Sequence, residues 1–257
     1  MIAALDAEFR KLVTLPAVWL AVALTIGLPP ALASANAAML RRALDTGRLD
    51  GLLSTSTVDE GFGQLTLGIV GVIVLAVVAV SSEYTRSGQH SGGSRQLLST
   101  MVAMPRRGQV IAAKIVAVTA CTAVMAAITI PLTVTVSRAG LGRYASAFPD
   151  MLSRSVGVTA YWVCMALLAL GLTALTRNGV VPMVLLITNA SMISFSLLAS
   201  RVTDFAKYLP DLAAYPSFIS EHPMTHPLEP SAGLVVLAIW GAAAVAATAI
   251  SYIIRDA

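Results

Sequence analysis

The chain has 257 residues, of which 57% are hydrophobic and 12% charged, and its net charge is +4. Soluble chains average about 25% charged residues, and a mean hydropathy of +0.80 is far outside their range. These figures exclude a soluble globular domain and point to a chain that crosses a membrane several times.

The N-terminus places Ile2, Leu5, Phe9 and Leu12 at three- and four-residue spacing, with Asp6, Glu8, Arg10 and Lys11 on the other face. That pattern predicts a short amphipathic helix lying on the membrane surface. Pro16 marks the bend into the first span. "ALASANA" at 31–37 resembles a signal-peptidase site, so cleavage near residue 35 is an alternative. The apolar run exceeds a signal core of about 7–15 residues, and Asp6 and Glu8 precede it, which favours an uncleaved span.

Charged residues then leave six uncharged windows of more than 20 residues. A helix needs about 20 apolar residues to cross a hydrocarbon core of roughly 30 Å. The predicted spans are about 15–38, 62–82, 115–137, 155–176, 180–200 and 231–254. They must be helices, because an open strand leaves backbone groups unpaired in lipid. The fold class is therefore all-α integral membrane, with six transmembrane helices in one domain over 1–257.

Within the spans, "GLPP" at 27–30 predicts a kink in the first. Gly63, Gly68 and Gly71 permit close helix approach in the second, and Pro131 lies near the outer end of the third. Cys121 and Cys164 belong to no CxxC or Cys/His cluster and are small core residues. Asn178 and Gly179 can end the fourth helix, and Pro182 fits the first turn of the fifth. Thr188, Asn189, Ser191, Ser194 and Ser196 give the fifth span a polar side, while Asn36 sits near the outer end of the first. Such polar groups join helices or line a pathway. The 201–230 loop holds five prolines with Tyr208, Tyr215 and Phe218, so a structured outer cap is expected. In "EHPMTH" (221–226) the prolines disrupt the helical spacing of His222 and His226, and no metal site is expected.

An even number of spans puts both termini on one side. With the N-terminus inside, the inner segments hold nine Lys and Arg and the outer loops eight. The 83–114 loop carries five of those bases and one acid, and short basic loops stay cytoplasmic. The expected topology is N-in, C-in.

That loop, "EYTRSGQHSGGSRQLLSTMVAMPRRGQVIAAK", decides the functional class. Its "SGG" is similar to an ATPase signature, yet a P-loop needs G-x-x-x-x-G-K-[ST]. None of Lys11, Lys114 and Lys207 follows a glycine or precedes Ser or Thr, so the chain has no P-loop. Its bases suit anionic lipid. Nucleic acid is not expected, since Tyr84 is the loop's only aromatic residue for stacking. "RQLLSTMVAMPRRG" predicts an amphipathic helix closed by Pro105, suited to a partner's groove.

The same segment resembles the cytoplasmic loop of ABC-2 type permeases. The matching positions are Glu83, Tyr84, Gly93, Ser94, Arg95, Leu97, Leu98, Pro105, Arg106, Arg107, Gly108 and Lys114. "TRSGQHSG" (85–92) is longer than the family's usual linker. The resemblance implies an inner-membrane, multi-pass permease subunit without catalytic residues or its own cofactor. ATP and Mg2+ would sit on a partner ABC ATPase subunit, touched by Glu83, Tyr84, Arg95, Leu97, Leu98, Pro105, Arg106 and Arg107. It further implies a second permease chain as homodimer partner. Asn36, Asn189, Ser191 and Ser194 are the substrate-pathway candidates. The implied cargo is an amphipathic drug, peptide antibiotic or lipid, as in antibiotic-resistance exporters.

Two alternatives remain. An intramembrane enzyme acting on lipid or peptide would need catalytic groups, and H-E-x-x-H and G-x-S-x-G are both missing. A secondary transporter would need ionisable groups inside its spans, and the six predicted spans contain none.

Overall fold

Leu15, held extended at φ −83° and ψ 117° by the proline that follows it, separates α1 (Ile2–Thr14) from α2 (Pro16–Thr46). Pro16 is the first helical residue, where its missing N–H costs nothing. The computed structural model describes residues 1–47, 56–84, 107–146, 150–190, 194–221, 224 and 226–255. Among them all regular structure is helical.

Among the described residues five helical segments are long and apolar enough to cross a membrane: Pro16–Thr46, Phe62–Ser81, Gly108–Tyr144, Met151–Thr176 and Pro230–Tyr252. They correspond to the predicted first, second, third, fourth and sixth spans. At about 1.5 Å per residue, the 31 residues of α2 reach about 46 Å. The helix runs through Pro29 and Pro30, both buried, and stops at Gly47 in the left-handed region. The second segment comprises α3 (Phe62–Leu65), a 3-10 turn (Thr66–Gly68) and α4 (Ile69–Ser81). Trp162 explains the tight turn: its Nε1 donates to Leu65 O at 3.1 Å. A Cβ on Gly68 would lie 2.3 Å from the Trp162 ring.

α5 (Arg107–Leu141) begins well before the expected boundary at 115. α6 (Met151–Thr176) ends on Arg177, whose φ of 51° makes it, rather than Asn178 or Gly179, the left-handed cap. Asn178 instead accepts from Val180 N at 2.8 Å and opens the next helix. Gly179 allows close packing, since a Cβ there would lie 3.0 Å from Val77 and 3.2 Å from Ser81.

The predicted fifth span, 180–200, is interrupted. α7 (Val180–Ala190) has 11 residues and α8 (Phe195–Ser200) six. Ser194 caps α8 by accepting from Leu197 N. The outer cap then folds as a 3-10 turn (Asp204–Tyr208), α9 (Pro210–Ala214) and a second 3-10 turn (Tyr215–Ser217). It packs inward against α6 and the last helix, α10 (Pro230–Arg255). Trp240, about 15 Å along α10, donates to Tyr208 O at 2.8 Å.

α4 lies at the centre, against α2, α6 and α7. Gly71 sets the closest approach, because a Cβ there would lie 2.2 Å from both Ala21 O and Thr25 Oγ1 of α2. Gly63, read as a similar contact, has nothing within 4 Å of a built Cβ. Cys121 and Cys164 are free cysteines.

The apolar face expected on α1 is divided. Leu12 is buried with Ala4 and Glu8, whereas Ile2, Phe9 and Val13 are exposed. The inward face is chosen by Glu8, whose charge has a partner inside the bundle.

Candidate functional site

The loop 83–114 was expected to carry the chemistry. Arg95, Leu97, Leu98, Pro105 and Arg106 lie outside the described residues, and Arg107 opens α5. The two roots of the loop, Glu83 and Lys114, meet.

Lys114 lies about two turns inside α5 and is 1% exposed. Its Nζ donates to Glu83 Oε1 at 2.6 Å and to Glu8 Oε2 at 2.9 Å. Lys11 Nζ donates to the same Glu83 Oε1 at 2.8 Å. Both ammonium groups also reach Ala79 O, at 3.0 Å from Lys11 and 3.3 Å from Lys114. The second carboxylate oxygen, Glu83 Oε2, accepts from Tyr252 Oη at 2.8 Å. Two acids and two bases thus close an electrically neutral group. It binds α1, the end of α4, the start of α5 and the end of α10 at one point.

Taking charges out of water costs several kcal/mol each, so such a network is tolerated only when fully paired. Burial pushes the Glu83 carboxyl up, but the Lys114 and Lys11 ammonium groups outweigh it and hold its pKa below the ordinary value. Lys11 is lowered, first by burial and then by repulsion from Lys114. Tyr84, next to Glu83, lies under the Arg177 guanidinium at 5.7 Å. The turn from α6 into α7 therefore touches the same end of the bundle.

A second polar group lies where α7 ends and α8 begins. Asp211, 1% exposed, receives Asn189 Nδ2 and Ser194 Oγ on Oδ2, each at 3.1 Å. Asn189 Oδ1 accepts from Ser196 N and Ser196 Oγ, both at 3.2 Å. Asp211 Oδ1 has no hydrogen-bond partner among the described residues. Burial raises the Asp211 carboxyl above its usual range. Of the pathway candidates, Asn189 and Ser194 are thus joined. Asn36 is exposed on α2, and Ser191 lies outside the described residues.

At the opposite end from the Lys114 group, Asp59 Oδ1 pairs with Arg154 Nη1 at 2.9 Å. Asp59 Oδ2 accepts from Ser220 N and Glu221 N at 2.9 and 2.8 Å. Arg154 Nη2 also donates to Ser220 Oγ. Beside this clamp Glu60 is buried, and its Oε1 has no hydrogen-bond partner among the described residues. Its carboxyl is pushed up to about 7 by burial. Among the described residues no group of three or more His, Cys, Asp or Glu is placed to hold a metal ion.

The predicted spans 115–137 and 155–176 contain no ionisable group, and the helices that hold them start earlier, so that Lys114 lies within α5 and Arg154 within α6. Bounding spans at charges pushed both residues into loops. Glu8, Lys11, Tyr252 and Asp211 were not picked out as site residues. Only Glu8 and Lys11 left a signal, since an i, i+3 acid–base pair on a helix shares one face.

Comparison with protein-family models, curated proteins and solved structures gives no match.

Proposed function

We propose that this chain is the permease subunit of an ABC-2 type ATP-driven transporter, with six spans and both termini in the cytoplasm. α7 and α8 together make the fifth span. The observation that carries this reading is the 2.6 Å Lys114–Glu83 pair. It joins the two ends of the loop whose sequence resembles a coupling segment, and it ties them to α1 and α10. A push on that loop by an ATPase subunit would reach those helices together, because the network cannot open at one point without stranding a buried charge. Two permease chains and two ATPase subunits form the proposed assembly in the cytoplasmic membrane. ATP and Mg2+ are held on the ATPase subunits. The apolar helix walls suit an amphipathic cargo such as a drug, a peptide antibiotic or a lipid.

Co-purification of the tagged chain with a candidate ABC ATPase tests the reading. Arg106→Glu with Arg107→Glu should abolish association while leaving membrane insertion intact. Association that survives the charge reversal rejects the coupling role.

A secondary transporter is the second reading, favoured by Asp211. Among the described residues Asp211 has no countercharge, and a buried carboxylate so placed takes up a proton or a cation. Transport driven by an ion gradient without ATP would select this alternative.

A further inference from the structure

A polar cavity of about 400 Å3 opens beside α8 and the 204–208 turn. Arg201, Lys207 and His226 line it, with Ser200, Thr203 and Asp204. Neither Arg201 nor Lys207 forms an ion pair among the described residues. The Lys207 ammonium rests 5.5 Å from the ring centre of Tyr208. Two cations against one carboxylate leave the cavity with net positive charge, and the His226 imidazole adds an N–H donor.

The neighbouring side chains are apolar and uncovered. Val202 is 88% exposed and Phe205 80%, and Phe195 and Leu198 are also exposed. Leaving one such side chain in water forgoes about 1.5–3 kcal/mol of burial, so this surface belongs against hydrocarbon. Cations next to it would extend their heads toward the interfacial layer. The ligand that satisfies both halves has an anionic head and apolar tails.

We propose that this cavity binds the phosphodiester head group of an anionic phospholipid. Arg201 and Lys207 engage the phosphate oxygens by charge-assisted hydrogen bonds. Thr203 and His226 supply further donors. Asp204 accepts from a head-group hydroxyl, which suits glycerol better than a trimethylammonium group. Val202 and Phe205 lie along the acyl chains. The site is independent of the coupling reading, and it holds for an ATP-driven or an ion-driven transporter alike.

The test is native mass spectrometry of the full chain in detergent, titrated with dioctanoyl phosphatidylglycerol or dioctanoyl phosphatidylcholine. The expected result is a one-lipid adduct with phosphatidylglycerol at tenfold or more lower concentration than with phosphatidylcholine. Arg201→Ala with Lys207→Ala should erase that preference, and Arg201→Lys with Lys207→Arg should keep it. An unchanged preference in the alanine variant overturns the site. Competition by glycerol 1-phosphate at the concentration of the lipid assigns the cavity to a water-soluble phosphate and overturns the lipid. If the alanine variant elutes as aggregate, the charge-conserving variant decides: equal binding of the two lipids by it overturns the proposal.

Discussion

Glu83→Gln removes one negative charge from the neutral group at the loop roots and keeps the side chain's shape. Lys114, 1% exposed, then retains only Glu8, and Lys11 loses its carboxylate altogether. Breaking a buried pair by removing one partner costs about 3–5 kcal/mol, which is roughly two to four powers of ten in the folding equilibrium. Lys11→Met leaves Lys114 with both acids and should cost less. The double variant restores neutrality, with Lys114 facing Glu8 alone. Its cost should fall below the sum of the two single costs by at least about 1 kcal/mol. The assay is reversible unfolding of the purified chain in mixed micelles with increasing denaturing detergent. The Glu83 carboxyl is held below its ordinary value of 4.5. Its contribution is therefore fully present above that pH, and it disappears as pH falls through the lower folded value. Between pH 6 and 8 the difference between wild type and Glu83→Gln should be flat. A Glu83→Gln variant within 1 kcal/mol of wild type, or strictly additive single costs, would refute the network.

Glu60, raised to about 7 against an ordinary 4.5, holds its proton more tightly folded than unfolded. Stability should decline as pH rises from about 4.5 to 7, and Glu60→Gln should flatten that slope in the same unfolding assay. Gly71→Ala places a Cβ 2.2 Å from Ala21 O, a backbone atom that cannot rotate away. Overpacking of this kind costs about 1–3 kcal/mol, whereas Gly63→Ala, with nothing within 4 Å, should be close to neutral. Asp211→Asn keeps an acceptor toward Asn189 and Ser194 and removes an unpaired charge. It should cost less than Glu83→Gln, and a loss above about 3 kcal/mol would show that Asp211 has a cationic partner.

Hydropathy made the long helices legible, because lipid forces backbone pairing into the segment itself. The same rule obscured their ends. Lys114 marked a boundary in the sequence, yet three oxygens around its ammonium let α5 continue past it. Apolar length hid the end of α7 at Ala190 and the extended Ser194, because the hydrogen bonds made there come from Asp211 and Asn189, 22 residues apart. Glu83 was flagged by its loop. Glu8 and Tyr252 were not, since they lie 106 and 169 residues from their partners. Separations of that size leave no trace in local periodicity. Asn189 and Ser194 stand out in the sequence as polar, but the carboxylate they converge on belongs to the segment expected as an outer cap.

Photocross-linking from the loop tests the coupling claim most directly. A benzophenone amino acid replacing Met101, within "RQLLSTMVAMPRRG", is irradiated in native membranes and its adducts are identified by mass. The account predicts a single dominant adduct with a P-loop ATPase, lost when Arg106 and Arg107 are changed to Glu. Adducts with lipid alone, or an ATPase adduct unaffected by those changes, would contradict it.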